Sequence, residues 1–496
     1  MQETAIAVAT PAVTLSAPED FRLPDLGDVG AGLRVAPLEE RPVSSVLWDT
    51  EDLRLARWGG SLAHREGEGW TVELPAEAGG DPAHRVHRVA GEGDIVPPVV
   101  IDLVAAFVRT AELQPRLELH SVRRVVGLLD EGGRLLVEVD DHEPVASVTA
   151  GAGTGRELEV AVVMGGPSTL LPAVVDRLVR AGATRSDAAV GLARAFGDAG
   201  PPEVELEQVG GRSTAAAVVR RAIAAATLRL VAHDPGVRLG GDPEAVHQAR
   251  VAVRRLRSDL RTFAPLMLPG WSDPLRDELR WIGGELGRVR DAEVLAEEVE
   301  LAVARLPEED RAAGADLVAD LRTDIVRARE HLLDSMRSPR YVELLEHLVR
   351  VSRRPMLLPA ADQPARQVLP GLVARPWRRL RRDARRLRGG AADVELHQLR
   401  IRAKRARYAA EAGAPVLGRR AAAFARAVAG LQDVLGTHHD AVVAAERLRA
   451  MAGTGRPAFV AGQLWGVERQ VAEASRADWP TAWKRARKRR LRSWMT

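Results

Sequence analysis

The chain is 496 residues long, room for two to four domains of about 100–200 residues each, and its 71 Lys/Arg against 68 Asp/Glu leave a net charge of only +3. It has no cysteine, which excludes disulfide frameworks, zinc ribbons, iron–sulfur clusters and a cysteine nucleophile. The near-neutral total conceals two halves of opposite sign: residues 1–200 hold 18 basic and 31 acidic side chains, and residues 201–496 hold 53 and 37.

Residues 1–9 read as an N-terminal tail; the opening stretch MQETAIAVATPAVTLSAPED is mildly apolar without a basic start, so no signal peptide is expected. Residues 10–200 read as a first domain of strands and turns. VSSVLWDT (43–50), WTVELP (70–75), RLLVEVDD (134–141) and ELEVAVVM (157–164) are strand candidates bounded by Gly, Asp and Pro. DEGG at 130–133 sits between two of these apolar runs and signals a hairpin. Helices are expected over 99–113 and 167–182, the second capped by Ser168, which makes the domain mixed α+β with an antiparallel sheet. The Gly-, Pro- and Glu-rich stretch 197–212 reads as a linker, and 201–212 is assigned as the segment between the two domains.

From 213 to 490 the apolar residues recur at helical spacing, and short loops between long amphipathic helices predict an all-α bundle. Ser272 or Asp273 is a candidate cap, and Pro243 and Pro274 fit first-turn positions. This region repeats itself. VHQARVAVRRLRSDLR (246–261) aligns with LHQLRIRAKRARYAAE (396–411) at an offset of 150, and LGRVRDAEV (286–294) with LGTHHDAVV (435–443) at an offset of 149. Two halves, about 213–350 and 370–490, with pseudo-two-fold symmetry are expected, followed by a basic tail at 491–496. No uncharged apolar run reaches the ~18 residues a membrane helix needs.

At ~100° per residue, Val246, Ala249, Val253, Leu256, Leu260 and Phe263 form one stripe, and His247, Arg250, Arg254, Arg257 and Arg261 form its neighbour. The second copy matches: Leu396, Leu399, Ala403, Ala406 and Ala410 are apolar beside a basic His397, Arg400, Lys404 and Arg407. Stacked like charges at i, i+3 and i+4 oppose helix formation, and a solvated face is the plain reading of one such helix. Its recurrence in register, with a histidine each time, points instead to an anion site. A linear polyphosphate suits rows of guanidinium, which bind phosphate oxygens bidentately. Nucleic acid is the disfavoured rival, because ten Trp, two Tyr and six Phe in the whole chain leave few stacking platforms. His247, His397, His438 and His439 lack metal-ligand spacing, so no metal is expected. Asp291 and Asp440, at matching repeat positions, are expected to orient arginines or cap helices rather than to catalyse. The basic tracts 375–390 and 483–494 are candidate affinity boosters.

These four motifs, in this order, resemble the CHAD domain, the histidine-bearing α-helical domain, over about 213–490. The resemblance implies a helical bundle in two repeated halves that binds inorganic polyphosphate. Carried over residue by residue, that role falls on His247, Arg250, Arg254, Arg257, Arg261 and Arg290, and on His397, Arg400, Lys404, Arg407 and His438.

The first domain resembles a CYTH domain, the triphosphate tunnel fold, through VLWDTEDLRLARWGGSLAHREGEGWTVELP and RELEVAVV. The resemblance implies glutamates that hold a divalent metal and basic residues that clasp a triphosphate. The key positions depart from that pattern. Thr10-Pro11-Ala12-Val13-Thr14 stands where Glu-x-Glu-x-Lys is required, Ala161 follows Glu157 and Glu159, and Glu73 stands where the family has lysine. Arg54, Arg57, Arg65, Arg123 and Arg124 survive. The remaining acids, Glu138, Asp140, Glu157 and Glu159, are expected to face outward.

The sequence therefore predicts a multidomain α+β protein: an antiparallel β-rich CYTH-like domain that has lost its metal-binding glutamates, then an all-α duplicated helical bundle. The expected function is polyphosphate binding in a basic groove, with no catalytic residue, metal or cofactor and no membrane partner. The expected location is cytoplasmic, with polyphosphate granules left open. A metal-dependent (tri)phosphatase is the alternative, and a nucleic-acid-binding protein the second.

Overall fold

The computed structural model describes residues 6–7, 12–18, 20–75, 84–91, 95–144, 156–163, 166–167, 169–185, 196, 199–387, 391–451 and 454–495. The chain divides into two compact units, residues 1–204 and 205–496.

The first unit is built on one antiparallel sheet. Its strands are β1 (Ile6–Ala7), β2 (Ala12–Ala17), β3 (Arg34–Asp49), β4 (Ser61–Arg65), β5 (Gly69–Pro75), β6 (His84–Val89), β7 (Gln114–Leu129), β8 (Leu135–Pro144), β9 (Arg156–Val162) and β10 (Thr184–Arg185). They are ordered β1-β6-β5-β4-β3-β7-β8-β9-β2-β10. The DEGG turn forms as expected: Asp130 Oδ1 accepts from the Arg134 N–H at 2.9 Å and Gly133 takes φ +79°, which a side chain would strain.

One face of the far half of the sheet is apolar, and period-2 alternation puts Leu15, Leu128, Val137, Val139, Leu158 and Val160 on it. They bury against Val174, Val175 and Leu178 of α3 (Leu170–Arg180). The other predicted helix is α2 (Pro98–Val108), shorter than 99–113 because Arg109 breaks it at φ +55°. The short α1 (Arg54–Arg57) hangs on Asp49, whose carboxylate accepts from the Leu55 and Ala56 N–H groups at 2.9 Å each. Residues 1–9 are not wholly a tail, since Ile6 and Ala7 pair with Val89 and Arg88. Two residues are too few to carry a strand period. Ser168, the expected cap, lies outside the described residues.

The second unit is helical. The first half comprises α4 (Ala215–Leu239), α5 (Pro243–Phe263), α6 (Ser272–Val303) and α7 (Glu308–Arg337). α8 (Pro339–Arg353) follows and packs on α4. The second half comprises α9 (Ala365–Arg386), α10 (Asp393–Leu417), α11 (Arg419–Met451) and α12 (Arg456–Ala486). All six residues of the predicted α5 stripe and all five of the α10 stripe are buried, so the helical period names the core face correctly. Asp242 caps α5, accepting from the Glu244 N–H at 2.9 Å, with Pro243 in the first turn. At α6 neither expected cap acts: Trp271 precedes the helix and Ser272 begins it.

The two halves join around a local pseudo-two-fold axis. The Ala215 N–H donates to the Gln363 carbonyl at 3.0 Å, and the Ala365 N–H donates to the Ser213 carbonyl at 2.9 Å. Both pairs are related by the offset of 150. A tail at 491–496 is also corrected, because Leu491, Trp494 and Met495 pack against the core of the second half.

Candidate functional site

Both halves contribute to a cavity of about 260 Å³ in the helical unit, which is lined by His247, Arg250 and Arg254 of α5, Arg290 and Asp291 of α6, Arg400 and Lys404 of α10, and His439 and Asp440 of α11. The pseudo-symmetry extends to individual ion pairs. Arg250 Nη2 lies 2.9 Å from Asp291 Oδ1, and its mate Arg400 Nη2 lies 3.3 Å from Asp440 Oδ1. The expected role of the two aspartates as orienting groups is the one their positions allow.

Arg254 and Lys404, also equivalent by the offset of 150, have no carboxylate partner among the described residues. Arg254 stacks over the Tyr408 ring at 5.7 Å. The Nε atoms of Arg254 and Arg400 are buried without a hydrogen-bond partner. Burial, reinforced by Arg400, Arg254 and Arg250, pulls the Lys404 ammonium down to about 7. A lysine so depressed marks a site where positive charge exceeds what the fold compensates.

The histidines hold a different position. His397 Nδ1 is 3.1 Å from His439 Nδ1, so at least one ring is neutral. Burial, Arg400, His397 and Lys404 push His439 down to about 4, and burial lowers His247 and His397 as well. At neutral pH these rings act as hydrogen-bonding groups. Opposite them Glu298 lines the same cavity, raised to about 7 by burial and by Glu468, Asp440 and Glu297.

Not every residue expected here arrives. His438 is buried elsewhere, with Nε2 3.1 Å from Asp393 Oδ1; the neighbouring His439 takes its place. Successive residues on a helix differ by about 100°, so one of two adjacent histidines had to face away. The repeat alignment held the signal, since it pairs Arg290 with His439. Arg407 lines a second cavity of about 560 Å³, which also touches His247 and Arg254. There Arg407 Nε is held by Glu411 Oε1 at 2.6 Å. Arg261 lines a third cavity of about 220 Å³ with Arg375, Arg379, Arg402 and Arg405. Arg257 lies near that cluster, where Arg280, Arg261 and Arg276 oppose its charge.

In the sheet unit the surviving arginines are all engaged. Arg123 binds Asp140 through Nε at 2.9 and 2.8 Å and reaches Glu39 and Glu68 at 3.1 and 3.2 Å. Arg88 of β6 pairs with Glu159 of β9, although five strands separate them in the sheet order, so the sheet curls round a polar face. Glu138, Asp140 and Glu159 therefore face inward, correcting the outward placement. Alternation fixes which residues share a face, whereas curvature decides which face is concave. Burial works against ionised Asp140, but hydrogen bonds from His142 and Arg123 hold it well below the usual carboxylate range, whereas burial raises Glu138 and Glu73. On β2 the positions paired with Glu159 and Glu157 are Thr14 and Ser16, not carboxylates. The Glu157 side chain lies outside the description. Among the described residues, no three His, Asp or Glu side chains gather as a metal cage.

A duplicated helical bundle with paired basic helices facing a shared cavity defines the class, and the comparisons agree: residues 221–449 match the CHAD domain family. The chain belongs to the CHAD-domain proteins, and its full-length relatives include the uncharacterized proteins Rv2226 and MT2285 of Mycobacterium tuberculosis. Each is 31% identical over 491 residues, which covers 91% of this chain and 91% of the relative. Two solved structures are similar to parts of it. PptA from Streptomyces chartreusis is 24% identical with a TM-score of 0.47, covering 55% of this chain and 100% of its own. The CHAD domain of the plant Ricinus communis is 24% identical with a TM-score of 0.44, covering 59% and 95%. The antiparallel sheet unit is consistent with a CYTH-like fold. No helix among the described residues is long and apolar enough to cross a membrane.

Proposed function

We propose that the helical unit binds inorganic polyphosphate in the cavity between α5 and α10. The observation that carries this reading is the pair Arg254 and Lys404, equivalent residues from the two halves. Among the described residues both border the cavity without carboxylates of their own, flanked by Arg250 and Arg400. Family membership supports it, because the association of CHAD domains is with polyphosphate. An unbranched polyanion with a charge on every phosphate supplies the missing counter-charge along the cavity. Arg250 and Arg400, each oriented by an aspartate, meet successive phosphate oxygens bidentately. The neutral histidines donate or accept beside them.

The test is titration with polyphosphate of defined length. Affinity should fall linearly on a log–log plot against salt, because each neutralised phosphate releases counterions. Reversing two half-buried charges in Arg400→Glu/Lys404→Glu should weaken binding by roughly a hundredfold. Excess duplex DNA should not displace the ligand. Binding that ignores salt and both substitutions would refute the reading.

A metal-dependent triphosphatase in the sheet unit is the second reading, favoured by the inward carboxylates Glu138, Asp140 and Glu159. Arg123 and Arg88 already occupy Asp140 and Glu159, so we assign this unit no catalysis. Sustained Mg²⁺- or Mn²⁺-dependent phosphate release from tripolyphosphate, lost in Glu159→Gln, would reverse that assignment.

A further inference from the structure

The second and third cavities of the helical unit are copies of one another. Adding 150 to Ala225, Arg229, Ala252 and Arg255 of the second gives Arg375, Arg379, Arg402 and Arg405 of the third, and subtracting 150 from Pro415 gives Pro265. Likewise Glu411 of the second corresponds to Arg261 of the third, and Tyr408 to Ser258. The architecture is shared while the charge is not.

In the second cavity the central arginine is neutralised. Arg255 Nε lies 3.0 Å from Asp259 Oδ2, and its Nη1 pairs with Glu411. In the third, Arg405 occupies the place of Arg255, but both acids are gone: Asp259 corresponds to Ala409 and Glu411 to Arg261. Two alanines, Ala225 and Ala252, correspond to Arg375 and Arg402. Five guanidinium groups thus surround about 220 Å³. Of these, Arg402 alone has a carboxylate partner among the described residues, Asp383 at 3.1 Å. Leu372, Pro265 and Pro376 form an apolar floor that keeps the charges from full hydration.

An unbalanced copy of a balanced pocket makes sense when an anion completes it. Guanidinium forks converging on a compact space select a multivalent phosphate over a single carboxylate. We infer that the cavity of Arg261, Arg375, Arg379, Arg402 and Arg405 is a second phosphate site, separate from the polyphosphate cavity, that takes a compact phosphoanhydride such as tripolyphosphate. Burial and the surrounding Arg261, Arg402, Arg379 and Arg257 pull Arg405 down to about 10, the direction that desolvation among like charges produces. The same chemistry is offered by a free short chain and by the end of a long one.

The experiment is calorimetric titration of the full chain with sodium tripolyphosphate. Wild type should show a site that persists in Arg400→Glu/Lys404→Glu. Arg261→Glu should weaken that site by about tenfold or more without lowering the ligand-free melting temperature, since its carboxylate is placed to pair with Arg405 as Glu411 pairs with Arg255. Arg261→Lys should retain most of the binding. Loss of all tripolyphosphate binding in Arg400→Glu/Lys404→Glu, with only long chains sensing Arg261→Glu, would overturn a separate site and leave a chain-end contact. Unchanged binding in Arg261→Glu would overturn the inference outright. If long-chain polyphosphate shows the same pattern as tripolyphosphate, with Arg261→Glu harmful and Arg400→Glu/Lys404→Glu harmless, the proposed polyphosphate cavity is refuted and this site stands.

Discussion

Arginine does opposite work in the two units. In the sheet unit it closes carboxylate pairs: Arg156 binds Asp141 through Nε at 2.8 Å and Nη2 at 2.5 Å, and Arg123 gathers four acids. In the helical unit Arg254 and Lys404 in one cavity, and Arg261 and Arg405 in another, have no such partners among the described residues. The first arrangement is electrically complete and gives the fold specificity. The second holds charge that the protein alone does not balance, which is the condition for recognising an anion. Amino-acid type therefore says little about role until its partners are known.

The comparison breaks most visibly where a complete pair is opened. Asp141→Ala leaves the buried Arg156 guanidinium without its partner and should destabilise the sheet unit by about 3–5 kcal/mol, read by chemical denaturation. Little or no loss would mean that these pairs are as dispensable as surface ones.

Lys404 sharpens the contrast through pH. Its folded value of about 7 lies below the ordinary lysine value of 10.5. Between those values the unfolded chain binds more protons than the folded one, so this lysine's contribution to stability rises as pH rises. Below about 7 both states are protonated and the full repulsive penalty is present. Wild type should gain stability relative to Lys404→Met as pH is raised from 7 toward 10, measured by melting at matched ionic strength. Polyphosphate holds the proton on, so binding should weaken as pH rises through 7 in wild type and not in Lys404→Arg.

The smallest expected effect is at Arg405. Replacing it by Gln relieves like-charge repulsion and should stabilise the ligand-free protein by less than about 1 kcal/mol, since the group remains half in water. Destabilisation by Arg405→Gln would mean that this arginine belongs with the structural ones.

Much of this was legible beforehand. The spacing of Val246 to Phe263 announced a helix and its buried face, and the repeat announced the second copy. The domain with departures from the Glu-x-Glu-x-Lys pattern forms its sheet around Thr14 and Ser16 at the matching face. The partners were not legible. A basic stripe on α5 spans four turns, and tertiary packing divides it: Arg250 and Arg254 enter one cavity, Arg261 turns toward α9 and α10, and Arg257 faces Arg276, Arg280 and Gly283 of α6. Periodicity fixes a direction around one helix axis and leaves open what the neighbouring helix presents there. The same holds for Glu138, Asp140 and Glu159, whose inward aim depends on sheet curvature.

The reciprocal backbone bonds of Ala215 with Gln363 and of Ala365 with Ser213 carry an ancestral implication. A junction whose two sides are interchangeable is the kind that identical subunits make with one another. A half-length forebear could dimerise through this seam before gene fusion tied the copies together. Two copies on one chain need not mirror each other, and position 261 carries arginine where its counterpart 411 carries glutamate.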